Sequence, residues 1–225
     1  MQLKKVMPWG RSFREYKDIF SLTETDLKKF ILGCGDGPAS FNAELTTQGG
    51  KVVSVDPTYC FSTEQLQIRI SEVYDEVIAQ MYLNKEKYIW DSISSVEELG
   101  RVRISAMDKF IADYDKGKNE GRYVEAALPS LDFNNKKFDL ALCSHFLFLY
   151  SELVSLDEHV EALKELCRVA KEVRVYPLVE LNGVISRHLN EVVSELRNLN
   201  FSVSLDNVKY RFQKGASQML VVKSV

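Results

Sequence analysis

The chain has 225 residues, a net charge of −3 and an apolar fraction of 45%, enough for one α/β domain with a substantial core. No Lys/Arg block marks a nucleic-acid partner, no run approaches the roughly 20 apolar residues of a membrane span, and the N-terminus lacks the apolar core of a signal peptide. Cysteines at 34, 60, 143 and 167 form no close pair and have no histidine at ligand spacing, so reduced thiols, a cytoplasmic setting and no structural metal are expected.

Trp9, Phe13, Tyr16, Ile19 and Phe20 have partly helical spacing and predict an N-terminal helical segment over 1–24. Phe30 to Leu32 is a wholly apolar first strand, as expected of one buried on both faces. Pro38 suits the first turn of a helix reaching about Thr47, which Gly49-Gly50 ends. Lys51 to Val55 is a second strand, and Asp56 before Pro57 is biased toward extended backbone.

Ser62-x-x-Gln65 has capping-box form, and Leu66, Ile70, Val73, Val77 and Met81 follow on one helical face. Ser95-x-x-Glu98 repeats the signal ahead of Leu99, Val102, Ala106 and Phe110. Tyr88-Ile89-Trp90 lies between the two helices, and 116–121 reads as a solvated closing loop. A βαβ crossover needs only about 10–12 residues. Residues 62–118 therefore read as a helical insertion and a candidate substrate lid.

Regular alternation then resumes. Strands are predicted at Arg122–Glu125, Phe138–Cys143 and Val173–Leu178. Helices are predicted from Asp157 and along Val184, His188, Val192, Leu196 and Leu199. Phe201–Leu205 and Gln218–Lys223 have no helix between them and should pair antiparallel. His159 and His188 read as structural or exposed.

The most informative stretch is Gly33-Cys34-Gly35-Asp36-Gly37. Its glycines let backbone pass close to a ligand, and Asp56 follows at about the 20-residue spacing of a nucleotide-binding strand-loop-helix-strand unit. A dinucleotide site wants Gly-x-Gly-x-x-Gly/Ala, and here Pro38 takes the last place. That makes an NAD(P) oxidoreductase the weakest alternative.

The glycine stretch resembles the motif of class I S-adenosylmethionine (SAM)-dependent methyltransferases. So do Val55-Asp56, the passage from Leu128 through Phe138-Asp139-Leu140 to His145, and the helix through Ala162–Val169. The resemblance covers about residues 25–60 and 120–225. It implies a Rossmann-like α/β three-layer sandwich with a mostly parallel seven-stranded sheet and an antiparallel last strand. It implies SAM as cofactor and methyl transfer as activity. The implied cofactor residues are Gly33, Cys34, Gly35, Asp36, Gly37, Asp56, Pro57, Glu125, Ala126, Ser144 and His145. The family's usual acid two places before the first glycine is replaced by Ile31, for which Asp36 offers partial compensation.

Arg11 can pair with the methionine carboxylate through its guanidinium fork. His145 ends the fourth strand where open α/β sheets bind ligands. Its ordinary pKa suits a general base, but it reads equally as a structural histidine beside Phe146 and Phe148. A small-molecule acceptor is expected, with oligomeric state left open. A non-catalytic SAM-binding or regulatory protein is the alternative that Ile31 sustains.

Overall fold

The computed structural model describes residues 9–224. The first eight residues of the expected 1–24 segment lie outside that range, as does residue 225. Seven strands form one sheet: β1 (Phe30–Cys34), β2 (Lys51–Val55), β3 (Tyr123–Val124), β4 (Phe138–Ser144), β5 (Ala170–Tyr176), β6 (Phe201–Asn207) and β7 (Gln218–Ser224). Their order is β3-β2-β1-β4-β5-β7-β6. Strands β1 to β5 pair parallel, while β7 runs antiparallel to both β5 and β6. This is the Rossmann-like sheet that the resemblance implies.

Successive residues of the central strands feed opposite layers, as the period of a strand demands. Ile31, Leu140 and Leu142 face one apolar core, while Leu32, Ala141 and Cys143 face the other. The second core is covered by α5 (Leu156–Val169) and α6 (Leu189–Asn198). The first is covered by α1 (Phe13–Ile19), α2 (Phe41–Thr47) and the long pair α3 (Thr63–Leu83) and α4 (Val96–Asn119). Ser12 and Glu15 form a capping box at α1, as do Ser155 and Glu158 at α5, which fixes both helix starts.

On α3, Leu66, Ile70, Val73, Val77 and Met81 are all buried. On α4 the inward stripe is Leu99, Arg103, Ala106, Met107 and Phe110, with Val102 only half-buried. Tyr88 and Trp90 pack their rings on Phe212, at 5.0 and 5.4 Å between centroids. The Ile89 N–H donates to the Phe212 carbonyl at 2.7 Å. The α3–α4 pair is thereby anchored to the segment joining β6 and β7.

Five elements have boundaries that differ from the sequence reading. Helix α2 begins at Phe41 rather than Pro38, because 37–40 form a turn from which the Ser40 N–H donates to the Arg11 carbonyl at 3.0 Å. Helix α6 begins at Leu189, not Val184. Val179 and Ile185 bridge instead, and the Glu180 carboxylate accepts from the Arg187 backbone and guanidinium. Residues 116–119 are the last turn of α4 rather than a loop. A Cβ on Gly117 would come within 2.4 Å of the Tyr123 ring, so close packing overrides glycine's poor helix propensity. The Lys118 ammonium donates to the Tyr59 carbonyl at 2.8 Å, so it is not a free solvated charge. Strand β5 starts at Ala170 and ends at Tyr176, shifted from the expected 173–178 by pairing of Phe138 with Ala170. Strand β3 is trimmed to the two residues that pair with β2.

Candidate functional site

The carboxyl ends of β1, β2 and β4 open into a cavity of about 340 Å³, the place where open α/β sheets bind ligands. Its floor is the turn after β1. Gly35 and Gly37 there have φ of +68° and +50°, a region that suits glycine. Gly33 lies beneath the floor and does not line the cavity. A Cβ at that position would fall 1.8 Å from an Asp36 carboxylate oxygen, so its bareness makes room for Asp36.

The Asp36 carboxylate is 7% exposed. It accepts from the Tyr16 hydroxyl at 2.7 Å and the Ser54 hydroxyl at 2.6 Å. Burial drives its pKa up, the two hydroxyls oppose this, and neighbouring Asp56 adds to it, giving about 6. Asp56 ends β2. One carboxylate oxygen accepts from the Gly37 N–H at 2.8 Å and the other from the Thr58 N–H and hydroxyl at 2.8 and 2.6 Å. Burial also raises the Asp56 pKa, against the pull of those donors. Both acids face the cavity, as do Cys34 and Pro57. Burial pushes the Cys34 thiol well up, so it is not a thiolate at neutral pH.

Ser144 and His145 form the opposite wall. His145 has φ of +52° and donates its N–H to the Tyr176 carbonyl at 2.6 Å. Its Nδ1 lies 2.8 Å from the Ser144 hydroxyl. Loss of hydration, then Arg11 and Arg103, hold its pKa well below the usual imidazole value. The ring is therefore neutral at pH 7.

Glu125 and Ala126 do not line the cavity, whereas Ala127 and Leu128 do. Strand β3 ends at Val124, and the chain reaches the cavity wall at Ala127 and Leu128.

The roof was largely invisible in the sequence. Arg11 is there as expected, with a guanidinium N–H donating to the Trp9 carbonyl at 2.6 Å. Arg103, from α4, is fully buried and pairs through Nη1 with Glu15 of α1. Glu15 also accepts from the Ser12 N–H and hydroxyl, both at 2.9 Å, and from the Tyr210 hydroxyl at 2.8 Å. Burial raises its pKa, but Arg103 more than offsets this and leaves it at about 2. The clue to Arg103 was a charge placed four residues after Leu99 on the apolar stripe of a helix, since arginine is almost never fully buried unless paired.

No family model matches the chain. A curated relative, an uncharacterized protein of Methanocaldococcus jannaschii, is 28% identical over 224 residues, covering 99% of this chain and 98% of the relative. Among solved structures, the chain is similar to a magnesium protoporphyrin IX methyltransferase from Synechocystis with bound SAM, at 12% identity and a TM-score of 0.48, covering 95% of this chain and 91% of the other. It is also similar to a TehB-like SAM-dependent methyltransferase from Corynebacterium glutamicum, at 14% identity and a TM-score of 0.47, covering 95% of this chain and 86% of the other. Among the described residues, no helix is long and apolar enough to cross a membrane.

Proposed function

We propose that this chain is a SAM-dependent methyltransferase acting on a small-molecule acceptor held between the strand ends and the α3–α4 pair. The observation that carries this reading is the Asp56 carboxylate at the end of β2, facing the cavity beside the positive-φ glycine turn. A carboxylate so placed suits the two vicinal hydroxyls of a ribose. The bare backbone at Gly35 and Gly37 suits close approach of the rest of the molecule.

When bound, SAM supplies an electrophilic methyl group on a sulfonium. Asp56 would accept hydrogen bonds from the ribose. Asp36 would meet the ammonium of the methionine moiety, in place of the acid absent at Ile31. Arg11 would pair with the methionine carboxylate through its fork. Ala127 and Leu128 would line the adenine end. The walls then hold the acceptor in line with the sulfur, and such positioning can itself supply several kcal/mol.

His145 stands in the wall as a neutral hydrogen-bonding group, its Nδ1 beside the Ser144 hydroxyl. Burial, then Arg11 and Arg103, disfavour the charged imidazolium there, which weakens His145 as a proton acceptor.

Two experiments test this reading. Asp56→Ala should weaken SAM binding by about 1.5–3 kcal/mol through loss of charged hydrogen bonds; unchanged affinity in the folded variant means the ribose is held elsewhere. Incubation with labelled SAM and a metabolite extract should label a small molecule. Tight SAM binding with no transfer to any extract component favours the regulatory alternative.

A further inference from the structure

Among the described residues, the buried Nε and Nη2 of Arg103 have no hydrogen-bond acceptor at bonding geometry; the polar group beside the guanidinium is the Tyr210 hydroxyl, which donates to Glu15. The third nitrogen of Arg103, Nη1, is the one taken by Glu15. Nε and Nη2 form one edge of the guanidinium, the edge whose two parallel N–H bonds match the two oxygens of a carboxylate or a phosphate. The side chain is fully buried and lines the cavity. Leaving such donors unmet costs free energy that native structures seldom accept.

Glu15 cannot turn to satisfy them, because its oxygens are already held by Ser12, Arg103 and Tyr210. The walls nearby are apolar and aromatic: Val77 and Met81 of α3, Leu99 of α4, then Tyr88 and Phe212. An acidic head therefore meets the fork while an apolar body meets these walls.

We propose that the Nε/Nη2 edge of Arg103 is the anchor for an oxyanion on the methyl acceptor, making the acceptor an apolar small molecule with one carboxylate or phosphate. The assignment rests on the methyltransferase reading, in which Arg11 and Asp36 already serve the methionine end of the cofactor.

The test is ligand-observed NMR titration of the protein with benzoate, phenyl phosphate and neutral benzamide, each with and without saturating S-adenosylhomocysteine. In the loaded protein at least one anion should bind tenfold or more tightly than benzamide, and the better anion identifies the oxyanion. Arg103→Gln should lose at least tenfold in anion affinity while S-adenosylhomocysteine affinity stays within threefold. Glu15→Gln keeps a residue that serves the capping box and removes the opposing charge, so it should tighten the anion at least threefold. If Arg103→Gln does not fold, the Glu15→Gln arm and the wild-type comparison decide.

Equal binding of anions and benzamide overturns the proposal. So does a loss of S-adenosylhomocysteine affinity in Arg103→Gln as large as the loss of anion affinity, because the fork would then serve the cofactor. Absence of S-adenosylhomocysteine binding strikes the methyltransferase reading instead, and the titrations of the free protein then decide the fork.

Discussion

The floor and roof of the cavity are built on opposite plans. The floor is acidic and local. Asp36 and Asp56 sit at the ends of adjacent strands, and every hydrogen-bond donor described on them comes from the α1 tyrosine Tyr16, from Ser54 of β2 or from the turns at Gly37 and Thr58. The roof is basic and assembled from afar. Glu15 meets Arg103 across 88 residues of sequence and Tyr210 across 195, and among the described residues two nitrogens of Arg103 have no acceptor. A floor whose acids are held by fixed donors is a site of set shape. A roof with surplus donors is complete only when something else supplies the acceptors.

The largest expected effect breaks the roof. Arg103→Met leaves Glu15 buried without its counter-charge and should cost about 3–5 kcal/mol of stability, read by denaturant unfolding at pH 7. A loss under about 1 kcal/mol would mean that packing alone holds α1 to α4.

The next effect probes the floor through pH. The pKa of Asp36 is about 6 in the folded protein, raised by burial from a reference of 3.8. The native state thus binds more protons than the unfolded chain between these values, and stability falls as pH rises through that window. Relative to Asp36→Asn, wild type should lose about 2–3 kcal/mol between pH 4 and pH 7. Glu15, lowered to about 2, works in the opposite sense: its contribution is full above its ordinary value and is lost as pH falls toward 2. A difference between wild type and Asp36→Asn that does not change with pH would show that Asp36 is ionised throughout.

The smallest effect sharpens the floor further. Tyr16→Phe removes one of the two hydroxyls on Asp36 and should cost about 1–2 kcal/mol at pH 7. It should also move the Asp36 titration upward, since a donor to the charged form is gone. An unmoved midpoint would assign the stabilisation of the carboxylate to Ser54 alone.

The contrast also explains what the sequence could reveal. The floor was legible because strand ends, positive-φ glycines and Asp56 follow one another at fixed short spacings. Residues 34–37, 56–57 and 144–145 line one cavity at the carboxyl ends of the strands, with Gly33 beneath it. The α3 stripe was legible because Leu66 to Met81 repeat at helical period. Glu125 and Ala126 stand just outside the cavity wall, which Ala127 and Leu128 line, because the path after a two-residue strand has no periodicity to set its register. The ends of α2, α4 and α6 were displaced where a tertiary contact outweighed a local signal, as at Gly117 against Tyr123. The roof was illegible because each partner looks ordinary alone. Glu15, Arg103 and Tyr210 lie far apart in the sequence, and only the fold puts them together. In the structure Ser12 and Glu15 form the capping box that starts α1, and that local contact does not disclose what else Glu15 meets.

The Asp36–Asp56 floor is the assigned SAM site. Titration calorimetry with SAM, S-adenosylhomocysteine and NAD tests it most directly. The account expects one molecule of SAM or S-adenosylhomocysteine to bind per chain, with no heat from NAD; binding of NAD with no heat from SAM would contradict it.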